Sequence, residues 1–308
     1  MNFQQLRYVR ETVRRNLNLT EAAKALHTSQ PGVSKQIREL EEELGVDIFV
    51  RHGRRFTRLT PPGEELIGII EKILLQADNL KRVGENYAAE ESGRLTIATT
   101  HTQARYALPR VIAAFRAHFP KVRLSLQQGN PTAVARWVVS GEADIGIATE
   151  SLDHYPELVA LPGYRWTHSV VAPPEHPLAA EGALSLESLA CHPIVTYSRE
   201  FAGRTHIDAA FSASGLTPDI VLTAIDSDVI KTYVELGLGV GIIASVAYDP
   251  DRDKQLIRFD ASHLFPTNTT RVAVRRGAYL RDFAFAFIES FAPELNRERV
   301  LVALSELS

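Results

Sequence analysis

The sequence predicts an α/β protein in three parts: a small basic helical module, one long helix, and a larger body of two doubly wound lobes. Three observations predict it. Apolar residues recur at helical spacing, amid a surplus of arginine and lysine, over the first 60 residues. An apolar repeat alternating four and three then runs from Leu66 to Tyr87. From Arg94 onward, short apolar runs alternate with helical stretches, the pattern of βαβ units.

In the first part, Thr20 is expected to cap a short Ala-rich helix and Ser29 a second one, with Pro31 tolerated in its first turn. Val33, Ile37, Leu40 and Leu44 fall on one face of the second helix, to pack on Leu6, Val9 and Val13 and on Ala22, Ala23 and Leu26. The opposite face carries Thr28, Ser29, Gln30, Ser34, Lys35 and Arg38. Glutamine pairs with adenine edges and arginine with guanine, while hydroxyls and lysine suit phosphate oxygens. Two helices joined by a tight turn, the second presenting such groups near its start, form a helix-turn-helix, and duplex DNA is the expected partner. Val46–Val50 and Arg55–Leu59 flank Arg51-His52-Gly53-Arg54 as a β-hairpin wing, whose Arg51, Arg54 and Arg55 would straddle phosphates. Residues 1–60 hold eleven Lys/Arg against seven acids, a balance of +4, so the remainder carries −7 of the chain's net −3. A basic head on an acidic body fits a DNA-binding end joined to something that does not bind DNA.

Thr60-Pro61-Pro62-Gly63-Glu64-Glu65 reads as a helix start, with a capping hydroxyl, early proline and acids at the positive dipole end. Leu66, Ile70, Ile73, Ala77, Leu80, Gly84 and Tyr87 make a seam of about three heptads, suited to a paired coiled coil. A dimer follows from the need to engage two half-sites. A single long helix lying on its own domain is the alternative. Glu90-Glu91-Ser92-Gly93 should end the helix.

In the body, strands are expected at Leu95–Ala98, Val122–Leu126 and Ala143–Ala148, with helices at Arg105–Phe119 and Thr132–Val139. That order predicts a parallel sheet covered on both faces. A second unit has strands at 168–171, 193–196, 220–223 and 240–243, and Arg271–Val274 with the helix Arg281–Phe291 returns to the first. The expected division is 1–59 for the winged helix-turn-helix, 60–90 for the linker and 91–308 for the body. The first lobe would take 91–161 and 267–300, the second 162–266. Two Rossmann-like lobes with a cleft between them, as in periplasmic binding proteins, clamp small molecules at strand carboxyl ends. Thr99-Thr100-His101-Thr102-Gln103, at the end of the first strand, offers hydroxyls, an amide and free N–H groups to an anion. Thr149 and the Gln127–Asn130 turn, with Gln128, would face the same opening.

Gly237-Leu238-Gly239-Val240-Gly241 lies between a helix and a following strand, the reverse of a phosphate cradle, so the glycines end a helix. The ten histidines show no zinc spacing, neither Gly-x-Ser-x-Gly nor His-Glu-x-x-His occurs, and Cys191 is alone. No metal, cofactor or catalytic residue is expected; an enzyme using His101, Asp144 or Glu150 is the weaker rival, and a pure solute-binding protein another. The start has no secretory segment and no apolar stretch reaches membrane-spanning length, so a cytoplasmic location is expected.

The helix-turn-helix, wing, linker and two-lobed body resemble the LysR-type transcriptional regulators over essentially the whole chain. Ile97-Ala98-Thr99-Thr100-His101-Thr102-Gln103-Ala104-Arg105-Tyr106-Ala107-Leu108-Pro109, Ile147-Ala148-Thr149-Glu150 and Asp228-Val229-Ile230-Lys231-Thr232-Tyr233-Val234 resemble the CysB-like branch, the regulators of the cysteine regulon and of sulphonate utilisation. The resemblance implies a homodimer assembling to a homotetramer, working with RNA polymerase as an activator of sulphur-assimilation genes. It implies an acetylserine, sulphate or thiosulphate effector, and places anion binding on Thr100, Thr102, Gln103 and Thr149. The branch's Phe-Thr-Gly-Arg stretch reads Phe201-Ala202-Gly203-Arg204 here, so Ala202 stands at an effector position without its hydroxyl.

Overall fold

Asparagines, not threonine, open the first two helices. The computed structural model describes residues 1–53, 55–88, 92–149, 151–180 and 183–305, without the side chains of Ser151 and Ala202. In helix α1 (Phe3–Arg14), Asn2 and Gln5 form a reciprocal capping box. Helix α2 is Leu19–Ala25, and its cap is Asn18, whose amide oxygen accepts from the backbone of Thr20 (3.0 Å) and Glu21 (3.2 Å). Thr20 therefore sits inside the helix, because Asn16 and Leu17, at φ 51° and 64°, turn the chain two residues earlier than the threonine suggested. Ser29 does cap α3 (Gln30–Leu44), accepting from Gly32 at 3.3 Å, with Pro31 in the first turn. Val33, Ile37 and Leu40 are fully buried against Leu6, Val9 and Ala23, whereas Leu44 is exposed.

The wing forms from β1 (Phe49–His52) and β2 (Arg55–Leu59), paired antiparallel. Its first strand begins later than expected and takes in Arg51 and His52; Val46 is exposed, and Arg54 lies outside the described residues. Glu41 of α3 pins it. Its buried carboxylate accepts from the backbone of Ile48 (2.8 Å) and Phe49 (3.1 Å) and pairs with Arg51, whose guanidinium lies over Phe56. Helix α4 (Pro61–Ala88) is capped by the Thr60 hydroxyl, which accepts from Gly63 at 3.0 Å. Ile70 of the seam, together with Leu74, is buried in the core of the first unit, so the seam is not one free face; further along, Leu80 is 79% and Tyr87 82% exposed. Glu90 and Glu91, where the helix was expected to break, lie outside the described residues.

The chain divides at Glu85 and Asn86 into two units. The second holds two five-stranded sheets. The first contains β3 (Gly93–Thr99), β4 (Val122–Gln128), β5 (Ile145–Thr149), β6 (Leu158–Trp166) and later β12 (Asn268–Arg275), in the order β4-β3-β5-β12-β6. Strands β3, β4 and β5 are parallel, but β12 runs antiparallel to β5 and β6, so the sheet is mixed where an all-parallel one was expected. Strand β6 is an addition to the expected set and continues to Trp166, beyond residue 161. Helices α5 (Leu108–His118) and α6 (Pro131–Ser140) cover it. The second sheet has β7 (His168–Ala172), β8 (Ile194–Tyr197), β9 (Ile220–Ala224), β10 (Val240–Ala244) and β11 (Ile257–Asp260), in the order β11-β7-β10-β8-β9. Strand β11 is also additional. Helices α7 (Leu186–Ala190), α8 (Ala202–Ala213) and α9 (Ser227–Glu235) accompany this sheet, while α10 (Asp282–Phe291) and α11 (Arg297–Ser305) return to the first. Gly239, at φ +150°, closes α9 onto β10; a Cβ there would lie 2.1 Å from the Pro193 carbonyl. Cys191 is exposed.

Glu41→Ala leaves two wing amides without their acceptor and Arg51 without its partner, so the first unit should lose about 2–4 kcal/mol. Lys24→Ala, which removes an exposed pair with Glu21, should leave stability essentially unchanged. Thermal unfolding of the two variants followed by circular dichroism checks the contrast; equal effects would remove Glu41 from its pinning role.

Candidate functional site

A proline shapes the first strand end. The helix after β3 begins at His101, earlier than expected, and Gln103–Ala107 is a π-helical turn in which the Leu108 amide donates to the Gln103 carbonyl. Pro109 has no N–H to return to the Arg105 carbonyl, and its ring would crowd that oxygen in an ordinary α-turn. Widening the turn resolves the conflict. The turn then shows two faces.

Its inward face carries Gln103, 2% exposed. Gln103 Nε2 donates to Thr270 Oγ1 (3.1 Å) and Gln103 Oε1 accepts from Tyr164 (2.6 Å). Trp166 Nε1 also donates to Thr270 Oγ1 (3.1 Å), and Thr149 Oγ1 lies 3.5 Å away. Gln103 and Thr149 are thus joined in a buried polar network with Thr270, Tyr164 and Trp166. Burial holds the Tyr164 phenol above its ordinary range, so it stays a neutral donor. Thr100 is buried, and its carbonyl accepts from Ala104.

The outward face meets the other lobe. Arg105 Nε donates to Asp228 Oδ2 (3.1 Å) and the Tyr106 hydroxyl to Asp228 Oδ1 (2.6 Å). Lys231 approaches Asp228 at 3.4 Å, is held by Asp253 at 2.8 Å, and sits 5.1 Å over the Tyr106 ring. Although partial burial works the other way, the Tyr106 hydroxyl and the Lys231 and Arg105 charges keep the Asp228 carboxyl below its usual range. Asn130 adds a second crossing, donating to Glu200 at 3.1 Å. Beside this latch lies a cleft of about 200 Å³ lined by His101, Thr102, Arg105, Gln128, Asp226 and Ser227 among others. Asp226 caps α9 through the Val229 amide (2.9 Å), and Ser227 is hydrogen-bonded to Tyr197 (2.7 Å). The Tyr197 phenol also accepts from Ala244 (2.8 Å) and is approached by Thr102. The cleft is smaller than a drug-sized pocket and fits a compact ion or metabolite.

Of the residues expected to meet an effector, Thr102 and Gln128 line the cleft, while Gln103 and Thr149 face the network behind it. The side chain of Ala202, and Glu150, lie outside the described residues. Asp144 accepts from the Thr96 backbone at 2.8 Å. Tyr164, Trp166, Thr270 and Asp228 complete the arrangement.

In the first unit Thr28, Ser29, Gln30, Pro31 and Lys35 are exposed and Ser34 half-buried, at or near the start of α3, and Arg38 is exposed midway along it. Arg55 is exposed on the wing, whereas Arg51 is committed to Glu41.

A family model for the bacterial regulatory helix-turn-helix protein, lysR family, matches residues 3–64, and one for the LysR substrate binding domain matches residues 88–296. The chain belongs to the LysR family of transcriptional regulators. It is 57% identical to the HTH-type transcriptional regulator SsuR of Burkholderia cenocepacia over 99% of each chain, and 56% identical to CysB of the same organism over 99% of this chain and 97% of that one. It is 52% identical to the regulator cbl of Escherichia coli over 100% and 98%. The cofactor-binding domain of the Cbl transcriptional regulator superposes with a TM-score of 0.68 at 50% identity, covering 70% of this chain and 94% of that one. A full-length OxyR from Pseudomonas aeruginosa, 22% identical, shares the fold with a TM-score of 0.64 over 100% and 97%. The regulator thus has a DNA-binding helix-turn-helix and a small-molecule-binding domain, and no described helix is long and apolar enough to cross a membrane.

Thr270→Val leaves the buried donors of Gln103 and Trp166 unmet and should lower stability by about 1–3 kcal/mol. Asp228→Ala breaks a half-exposed ion pair, so its effect on stability should stay below about 1 kcal/mol. Amide exchange at residues 103–107 should nonetheless quicken in Asp228→Ala. Unchanged exchange there would show that Asp228 does not hold the turn.

Proposed function

We propose that the regulator controls sulphur-assimilation genes, binding promoter DNA through α3 and the wing and responding to a small anionic or acetylserine-type metabolite held between the lobes. The observation that carries this reading is the cleft itself. Hydroxyl and amide groups of Thr102 and Gln128 face it, the N-terminal turn of α9 borders it, and the interlobe latch forms its wall. A ligand that fits the cleft better in one lobe arrangement than in another shifts the balance between them. The similarity to CysB, SsuR and cbl, together with the matching 97–109 segment, supports a sulphur-containing or acetylserine-type effector. The exposed Leu80 and Tyr87 of α4 support a dimer through that helix, and pairs of dimers a tetramer. Cysteine biosynthesis is the first assignment and sulphonate utilisation the second. A thermal-shift comparison of acetylserine with sulphate and thiosulphate separates them.

Gel-shift titration tests the two ends. Arg38→Ala should reduce discrimination between promoter and random DNA by about 1–3 kcal/mol, and an equal loss on both would make Arg38 a phosphate contact. Thr102→Ala should leave basal promoter binding intact while raising the effector concentration needed to alter it by about tenfold or more, the worth of a hydrogen bond to a charged group. Loss of basal DNA binding with unchanged effector response would overturn the site.

A further inference from the structure

From Ser92 to Gly141 the chain holds seven arginines and lysines and not one aspartate or glutamate. That stretch is +7, so of the −7 beyond residue 60 the other residues supply −14. All seven cations are exposed, and Arg105 among them is engaged by Asp228. Two of the others stand side by side. Strands β3 and β4 run parallel with Arg94 directly opposite Arg123, so both project from the same face of the sheet. Neighbouring strands lie about 4.8 Å apart, and like charges set opposite one another at that spacing repel. Arg94 donates to Ser125 Oγ at 3.4 Å, and neither arginine is paired with a carboxylate among the described residues. The acids that lead into β5 have other partners: Glu142 accepts from Ser140 (2.9 Å) and Asp144 from the Thr96 amide (2.8 Å). Arg116 of α5 reaches the same strand end, donating to the Val122 carbonyl at 3.2 Å. Charged side chains commonly guard a sheet edge. That accounts for Arg123, because β4 is the edge strand, but not for Arg94, which lies one strand inside.

We propose that this face of the first lobe is a second DNA contact, in which Arg94 and Arg123, flanked by Arg116, neutralise backbone phosphates of the duplex held by the helix-turn-helix. A guanidinium fork matches a phosphate, and such contacts carry no sequence information. The location favours DNA. The patch lies at the end of the second unit that the linker enters: Asn86 of α4 donates to Asp282 (3.3 Å), and the Ser92 carbonyl accepts from Arg281 (2.9 Å). A duplex gripped through that linker is held at high effective concentration around the body. The composition favours DNA over an acidic protein. Beside the arginines this face of β4 offers Ser125 and Gln127, without the exposed apolar anchor on which protein interfaces centre. The effector cleft, with Thr102 and Gln128, is at the opposite ends of the same strands, about 20 Å away, so the two sites are separate.

The full-length regulator is titrated with a random-sequence duplex over a series of salt concentrations. Arg94→Ser with Arg123→Ser should lower the slope of log affinity against log salt by about 1.8 for each chain engaged, at about 0.9 per phosphate. Arg94→Lys with Arg123→Lys should keep the slope, since lysine also neutralises a phosphate. Lys254→Ser with Arg258→Ser removes the same charge from exposed positions of the second lobe and should leave it unchanged. In the unsubstituted protein, the duplex should slow phenylglyoxal modification of Arg94 and Arg123 several-fold by mass spectrometry, a readout that does not depend on any variant folding. An unchanged slope in the serine variant, an equal fall in the second-lobe control, or absent protection overturns the proposal. So do arginines already unreactive before DNA is added, which would place a second copy of the chain over them. Loss of transcription with RNA polymerase at unchanged slope would assign the patch to an acidic protein surface and also overturn it.

Discussion

Pro109 lacks an amide hydrogen, and much of the geometry of the second unit follows from that. With no donor to return to Arg105, the helix after β3 opens into a π-turn, and the Leu108 amide reaches back to Gln103 instead. An ordinary helical turn would distribute residues 103–107 over the surface at 100° steps. The widened turn sends Gln103 inward to Thr270 and Tyr164 while Arg105 and Tyr106 reach outward to Asp228. Five residues of one lobe therefore hold the buried network on one side and the neighbouring lobe on the other.

The two sides differ in strength by design of their surroundings. Inside, the neutral groups of Gln103, Thr149, Trp166 and Thr270 are buried and Tyr164 half-buried, and each unmet buried group would cost about 1–3 kcal/mol. Outside, Arg105 and Asp228 are about half exposed, and such pairs contribute about 1 kcal/mol or less. A strong anchor paired with a weak latch suits a sensor. Coupling between distant sites runs at about 1–3 kcal/mol, enough to reset the latch and too little to disturb the anchor. Lys231, held by Asp253 at 2.8 Å and stacked on Tyr106, gives the latch a fixed place to return to.

The helix-turn-helix, the wing and most strands were legible because they are written in local periodicity and capping chemistry. Ser29 and Thr60 cap as their sequence context indicates. What escaped is what local pattern does not encode. Strand β6 contains Pro162 and Gly163, which argue against a strand; at the sheet edge, where β6 lies, an absent N–H is tolerated. Missing β6 meant missing Tyr164 and Trp166. Thr270 looks like any strand threonine, and only the antiparallel return of β12 brings it beneath Gln103. The Asp228 latch joins residues more than 120 positions apart, a pairing that no spacing rule predicts. In α4 the seam was visible, but which of its residues the first unit's own core would claim depended on tertiary packing at Ile70 and Leu74.

The charge distribution constrains how such a sensor recognises an anion. Residues beyond 60 carry a net −7, so an anionic effector approaches an unfavourable average field, and local groups must reverse it. The cleft's fixed cation, Arg105, is engaged by Asp228, and the buried Arg204 by Asp208 and the Tyr197 carbonyl. A permanently free cation there would bind buffer anions at all times and leave the protein poorly able to register a change. Helix termini and hydroxyl dipoles act over one turn and are too weak to trap ions indiscriminately. Selectivity for an oxyanion over the abundant monovalent ions then rests on hydroxyl and helix-terminus dipoles that a doubly charged ligand meets more favourably than a singly charged one, with no standing counter-ion to displace.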